Sequence, residues 1–240
     1  MLKFTADKST AEFTDLGHPK GNGIMKLLVG TDLHNDSKAL SWFLSLAEER
    51  MPDVLIFLGD FITFQPLSFA KQALRDMSGL AKHVLVIPGN CDQRDILLEA
   101  DRTDGIKHIH NRSVIIDGVK FLGKGGSITC PSPTPFEDKD DTFANSLASL
   151  IDGTDVLVLH QPVYGFRDRI GEEKHVGSKS LRGLLDIHLP KLVLSGHIHE
   201  AKGMDVWRGV HFVNPGPLME MNCAFVNLGD SVNVEFISGI

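Results

Sequence analysis

Four short apolar runs, at residues 54–58, 84–87, 156–159 and 192–194, each stop at or just before a side chain of metal-ligating type: Asp60, Asn90, His160 and His197. Runs this short, rich in Val, Ile and Leu and lacking polar alternation, read as strands buried on both faces. An open α/β sheet gathers ligands beyond the carboxyl ends of its strands, so these side chains are expected to converge on one crevice. Two further pieces, Asp32-Leu33-His34 behind the run at 24–29 and His199 in Gly196-His197-Ile198-His199, complete the set. Two carboxylates, one amide oxygen and four imidazoles can hold two divalent cations side by side.

Between the runs lie amphipathic segments. A helix is expected over 37–50, with Ser37 as N-cap and Leu40, Phe43, Leu44 and Ala47 on one face. Others are expected near 66–79 and 93–100, and this alternation implies a mostly parallel sheet with right-handed crossovers. The texture changes where 113–116 and 119–122 flank Asp117-Gly118, a strong hairpin signal. After a Pro-rich loop at 130–135, helices near 141–150 and 178–187 alternate with the strands at 156–159 and 192–194. Hairpins 204–207/210–213 and 224–228/232–237 close the chain. The simplest assembly is an α/β fold of two mixed sheets packed face to face with helices outside, a four-layer α/β/β/α sandwich. Residues 1–23 are polar and end in Gly21-Asn22-Gly23, which reads as an N-terminal extension or linker, and 24–240 as a single domain.

The net charge of −7 argues against a sequence-independent grip on a nucleic-acid backbone. It leaves room for small anionic substrates, because bound metal reverses the local sign. Cys91, Cys130 and Cys223 have no paired spacing, which suits a reducing cytoplasm. Residues 1–23 lack the apolar stretch of a secretory signal, and no run approaches the roughly 20 residues of a membrane span. A cytoplasmic protein with no membrane attachment is the expectation. An exposed hairpin edge near the carboxyl end offers a place for pairing in a homodimer.

Within the ligand set, Asp-x-His at a strand end is expected to place Asp32 and His34 on one side of the backbone, with Leu33 pointing into the core. The same alternation applies to His197 and His199 about Ile198. Asp60 is the candidate bridge, since a carboxylate can give one oxygen to each of two cations about 3.5 to 4 Å apart. Asn90 adds a neutral oxygen. A water shared by two such cations loses a proton near neutral pH, and the resulting bridging hydroxide is the expected nucleophile.

These pieces resemble the signature of the calcineurin-like metallophosphoesterases. With Pro133-Thr134-Pro135-Phe136, His175-Val176-Gly177-Ser178-Lys179 and Asn214-Pro215-Gly216-Pro217-Leu218, the chain is similar to the Icc-related phosphoesterases from residue 24 onward. The resemblance implies the four-layer sandwich, one metal on Asp32, His34, Asp60 and His199, and a second on Asp60, Asn90, His160 and His197. Two positions depart from the common pattern. Cys91 stands where many members carry a His that protonates the leaving group, and a thiol is a weaker donor. Asn35 replaces a frequent Gly, and Asn is the residue that best tolerates the left-handed backbone such a turn requires.

The reading is therefore a dinuclear metal-dependent phosphoesterase, with Asp60, Asn90, Cys91, Asp92 and His175 at the reacting centre and Mn as the first choice of metal, ahead of Fe, Zn or Ni. The Cys91 change favours phosphodiesters over monoesters as the small phosphate-ester substrate. Asp92 is expected to hydrogen-bond a neighbour rather than touch metal. His175 lies in a polar loop, 165–177, that either contacts substrate or packs on itself. Cys91 as a redox or nucleophilic thiol is disfavoured against a packing or phosphate-facing role. Ser178 reads as a helix N-cap, and Gly123-Lys124-Gly125-Gly126-Ser127 as a turn rather than a phosphate loop. His18, His83, His108, His110, His188 and His211 read as core or surface residues. The alternative is a catalytically weak metal-binding scaffold for protein interaction on the same fold; a DNA-repair-type nuclease fits the acidic charge poorly.

Overall fold

The computed structural model describes residues 23–239 apart from Gln65 and Glu173. The extension expected at 1–23 and His18 lie outside the described residues, but for Gly23. In chain order the first half runs β1 (Met25–Gly30), α1 (Ser37–Arg50), β2 (Val54–Phe57), α2 (Ser68–Met77), β3 (His83–Val86), α3 (Ile96–Arg102) and β4 (Ile106–His108). The hairpin β5 (Arg112–Ile116) and β6 (Val119–Lys124) follows, then the short β7 (Ser127–Ile128) and β8 (Glu137–Asp138), α4 (Asp140–Ala148) and β9 (Val156–Leu159). The remainder is β10 (Arg169–Ile170), β11 (Lys174–His175), α5 (Lys179–Leu185), β12 (Leu192–Leu194), β13 (Gly203–Trp207), β14 (Val210–Asn214), β15 (Asn222–Leu228) and β16 (Val232–Ser238).

Two six-stranded mixed sheets result, in the orders β16-β15-β1-β2-β3-β4 and β13-β14-β12-β9-β6-β5. Within the first, β1 to β4 are parallel; in the second, β6, β9, β12 and β14 are parallel, and hairpin strands form the antiparallel edges. Alternate residues of each strand serve different layers. Leu27, Val29, Ile56 and Leu85 meet Phe121, Val156, Val158 and Leu194 between the sheets. Their neighbours Leu28, Leu55, Phe57 and Val84 pack beneath Phe43 of α1, Leu74 of α2 and Ile96 of α3. On the far side Leu122, Leu157 and Val193 pack beneath Phe143 of α4 and Leu181 of α5. This is the four-layer α/β/β/α sandwich, and it explains why the runs carry no polar alternation: both faces of each strand are buried.

Several local expectations shift. Asp36, not Ser37, caps α1, accepting the Ala39 N–H at 2.9 Å from an extended backbone, while Ser37 is the first helical residue. Ser178 does cap α5, accepting the Leu181 N–H. The third helix starts at Ile96 rather than 93, after a turn in which Ile96 N–H donates to Gln93 and Leu97 N–H to Arg94. No helix among the described residues is long and apolar enough to cross a membrane.

Candidate metal centre

The turns after β1 and β2 are stitched together through backbone. Asp32 N–H donates to the Gly59 carbonyl at 2.9 Å, those of Leu33 and His34 to Asp60 at 2.9 and 3.0 Å, and that of Asn35 to Phe61 at 3.0 Å. Leu33 is fully buried, as the pattern demanded. The reason differs from extended alternation, however: Asp32, His34 and Asn35 have φ of 53°, 46° and 66°, all left-handed. Asp60 and His197 share that region at 55° and 67°. Asp, Asn and His enter it most readily among residues with a Cβ, and such strain concentrates at functional sites.

Two glycines make the close approach possible. A Cβ on Gly89 would sit 2.0 Å from Asp60 Oδ1, and one on Gly196 would sit 2.1 Å from Thr31 Oγ1 and 2.8 Å from Asp32 Oδ2. The turns behind β1, β2, β3 and β12 therefore interlock.

Their side chains form two donor groups with Asp60 between them. In one, Nε2 of His199 lies 3.4 Å from both Asp32 Oδ1 and His34 Nε2. In the other, Asp60 gathers with His160 and His197, and His160 Nε2 is 2.9 Å from Asn90 Oδ1. Asp60 Oδ2 stands 3.7 Å from His34 Nε2 and 3.5 Å from His160 Nε2. Four of the donors are held from behind. Asp32 Oδ2 accepts from Thr31 Oγ1 and His197 N–H, and Asp60 Oδ1 accepts from Cys91 N–H. His34 Nδ1 meets Thr63 Oγ1 at 2.8 Å, and His160 Nδ1 donates to the Leu58 carbonyl at 2.8 Å. Such contacts to the far ring nitrogen fix the Nε2 lone pair toward the centre.

Asp32 Oδ1 is buried and has no hydrogen-bond partner. A buried carboxylate oxygen without a hydrogen bond, facing two imidazole nitrogens, fits a cation. Burial alone would raise the carboxyls of Asp32 and Asp60, but the surrounding imidazoles outweigh it and hold both below the usual range. Burial likewise opposes a proton on His160, yet the carboxylates of Asp60 and Asp32 prevail and push it up to about 9. His199 is raised by its contact with Asp32. Burial lowers His34, and burial followed by the charge of His160 takes His197 down to about 4.

Asn90, Cys91 and Asp92 occupy one turn. The thiol of Cys91 faces His34 and Asp60, and burial pushes its pKa far up, so it stays protonated. Asp92 is fully buried and accepts the N–H groups of Ile62 and Gly89. Burial and the nearby Asp60 charge raise it to about 7. His175 lies outside both donor groups, on the wall of a neighbouring cavity, with Nδ1 on Asp168 and Nε2 accepting from Arg169. Among the other histidines, His108 pairs with Asp101, His188 with Asp152, and His110 accepts the Gly125 N–H. Lys124 is buried against Asp138 at the end of β6, and of the turn expected over 123–127 only Gly125 and Gly126 lie outside strand, between β6 and β7.

Sequence reasoning overlooked the supporting residues. Thr31 and Thr63 orient Asp32 and His34, and nothing in their spacing signals it. Asn214 was visible within Asn-Pro-Gly-Pro; it is buried and donates to the Ile198 carbonyl, fixing the loop that carries His197 and His199.

The sequence model of the calcineurin-like phosphoesterases matches residues 25–201, a span that contains all seven donors. The chain belongs to the calcineurin-like phosphoesterase family. This family member is 31% identical over 202 residues to the uncharacterized protein MJ1162 of Methanocaldococcus jannaschii, covering 80% of this chain and 88% of that one. Its fold is similar to that of TT1561 of Thermus thermophilus, with TM-score 0.70, 19% identity and coverage of 88% and 98% of the two chains. It is also similar in fold to a dimetal phosphatase of Danio rerio, with TM-score 0.67, 10% identity and coverage of 91% and 98%.

Proposed function

We propose that this family member is a two-metal phosphoesterase that prefers phosphodiesters to monoesters. Asp32, His34, Asp60 and His199 would hold one cation, and Asp60, Asn90, His160 and His197 the other. The observation that carries this reading is the place of Asp60 Oδ2, within 3.7 Å of a ring nitrogen from each group. Asp60 would be shared between the two groups, with its Oδ1 held in place by Cys91 N–H. Bound cations supply activation of water as the nucleophile and neutralisation of charge on the phosphoryl oxygens.

The chain's own residues prepare that chemistry. Thr31, Thr63 and the Leu58 carbonyl hold Asp32, His34 and His160 in place before substrate arrives, so little reorganisation is needed on binding. Asp92 fixes the turn bearing Asn90 through two backbone N–H groups. Cys91, a protonated thiol at the centre, is a weak donor to a leaving group. A diester with a good leaving group depends less on such help, which supports the diester preference. The mixed nitrogen and oxygen donors are compatible with Mn first, then Fe, Zn or Ni. The free thiols suit a reducing cytoplasm, and β16, an outer strand, is where a homodimer would pair.

The test is hydrolysis of bis(p-nitrophenyl) phosphate and p-nitrophenyl phosphate by chelator-stripped protein, with Mn²⁺ restored or withheld. Metal-dependent turnover favouring the diester is expected. Faster monoester turnover would overturn the preference, and tight metal binding without turnover would favour the scaffold.

A further inference from the structure

Beside His199 lies a cavity of about 680 Å³ that the proposed chemistry does not use. One wall is the 3₁₀ turn His199–Ala201, which contributes Glu200 and Ala201; the other is the loop carrying β10 and β11, which packs against that turn. The volume is that of a small-molecule site, enough for a nucleoside-sized group.

Hydrogen bonds tie the described part of the loop to its surroundings. Its ends are joined where Tyr164 N–H donates to Ser178 and Ser178 N–H to Pro162. Asp168, fully buried at its centre, accepts the N–H groups of Gly165 at 3.1 Å and Gly177 at 2.9 Å. Arg167 clamps the loop to β13 through a two-point pair with Asp205 at 2.6 and 2.8 Å. Its charge is thereby matched.

A relay of three side chains runs outward from Asp168. Oδ1 accepts from His175 Nδ1 at 2.5 Å, which sets the tautomer and leaves Nε2 as an acceptor; that nitrogen takes the Nε–H of Arg169 at 3.3 Å. Arg169 and His175 face each other as a cross-strand pair of the small ladder. Arg169 is exposed, lines the cavity, and has no carboxylate partner among the described residues. A guanidinium pinned at its Nε presents its two remaining nitrogens as a fork suited to phosphate or carboxylate.

We infer that this cavity receives the part of the substrate beyond the scissile phosphate, and that Arg169 binds a second anionic group there, phosphate or carboxylate, with His175 and Asp168 as positioning residues. The inference rests on the reading that the scissile phosphate lies at the Asp60 cluster. Glu200, the exposed carboxylate on the opposite wall, works against an anion and keeps affinity moderate.

The test is calorimetric binding of adenosine 5′-monophosphate and adenosine 3′,5′-bisphosphate, which differ by one phosphate, to Mn²⁺-loaded protein at matched free Mn²⁺. About tenfold tighter binding of the bisphosphate is expected. Arg169→Met is expected to bring the affinity ratio near one, Arg169→Lys to restore part of it, His175→Leu to lower it, and Glu200→Gln to raise it. An unchanged ratio in Arg169→Met with unaltered melting temperature, no preference in the wild type, or no binding of either nucleotide would overturn the inference. Failure to hydrolyse bis(p-nitrophenyl) phosphate alongside an Arg169-dependent ratio would instead defeat the phosphoesterase reading and leave the cavity as an anion site.

Discussion

Asp32 Oδ1 and His199 Nε2 face each other across 3.4 Å at the mouth of the ligand cluster, and the buried oxygen makes no hydrogen bond. A buried polar atom without a partner costs free energy that a bound cation removes. Mn²⁺ at about 100 times its dissociation constant should therefore stabilise the fold by about 2.7 kcal/mol, a rise in melting temperature of roughly 5 to 10 °C for a chain of this size. Differential scanning fluorimetry of stripped and reloaded protein measures it; identical midpoints would contradict a preformed metal site.

Metal affinity should depend on pH in a stated direction. His160 holds its proton up to about pH 9 in the metal-free protein and must lose it to bind. Apparent Mn²⁺ affinity is expected to rise at least about tenfold per pH unit between pH 6 and 8, with proton release seen as a buffer-dependent binding enthalpy. The same raised value gives the metal-free fold a contribution fully present below 6.5 and lost as pH climbs through 9. Affinity that stays flat with pH would contradict a proton on His160 that the metal must displace.

Asp60→Asn replaces one oxygen of the shared carboxylate with an amide nitrogen and removes its charge. Turnover of bis(p-nitrophenyl) phosphate should fall by about 100-fold or more, equivalent to about 2.7 kcal/mol of lost transition-state stabilisation, while the fold persists. Steady-state kinetics with circular dichroism decide it. Activity within a few-fold of wild type would remove Asp60 from the bridge.

Cys91→Ala should leave kcat/KM for the diester within about tenfold, because a thiol with a raised pKa supplies little general-acid assistance. Iodoacetamide should also react slowly with native Cys91 at pH 8. Loss of activity as deep as that of Asp60→Asn would instead make the sulfur an essential group.

The fold was legible where burial on two faces leaves a mark in the sequence. The runs at β2, β3, β9 and β12 are apolar because alternate residues serve different cores, and their carboxyl ends point to the site. Elements made by tertiary contact left no such mark. β4, with Lys107 at its centre, and the two-residue ladders β7–β8 and β10–β11 exist through pairing, not through their own composition. Asp32 and His34 were found by residue type, but their left-handed backbone was not, since alternation describes only extended chain. The Arg169–His175 pair lies six residues apart in a polar loop, and only the ladder register brings the two side chains together.

The most direct measurement is electron paramagnetic resonance of stripped protein titrated with Mn²⁺ to two equivalents. Two cations sharing Asp60 would lie about 3.5 to 4 Å apart, close enough for their spins to couple. Two equivalents bound with an exchange-coupled spectrum is the expected result. Saturation at one equivalent, or two uncoupled six-line signals, would contradict a centre bridged by Asp60.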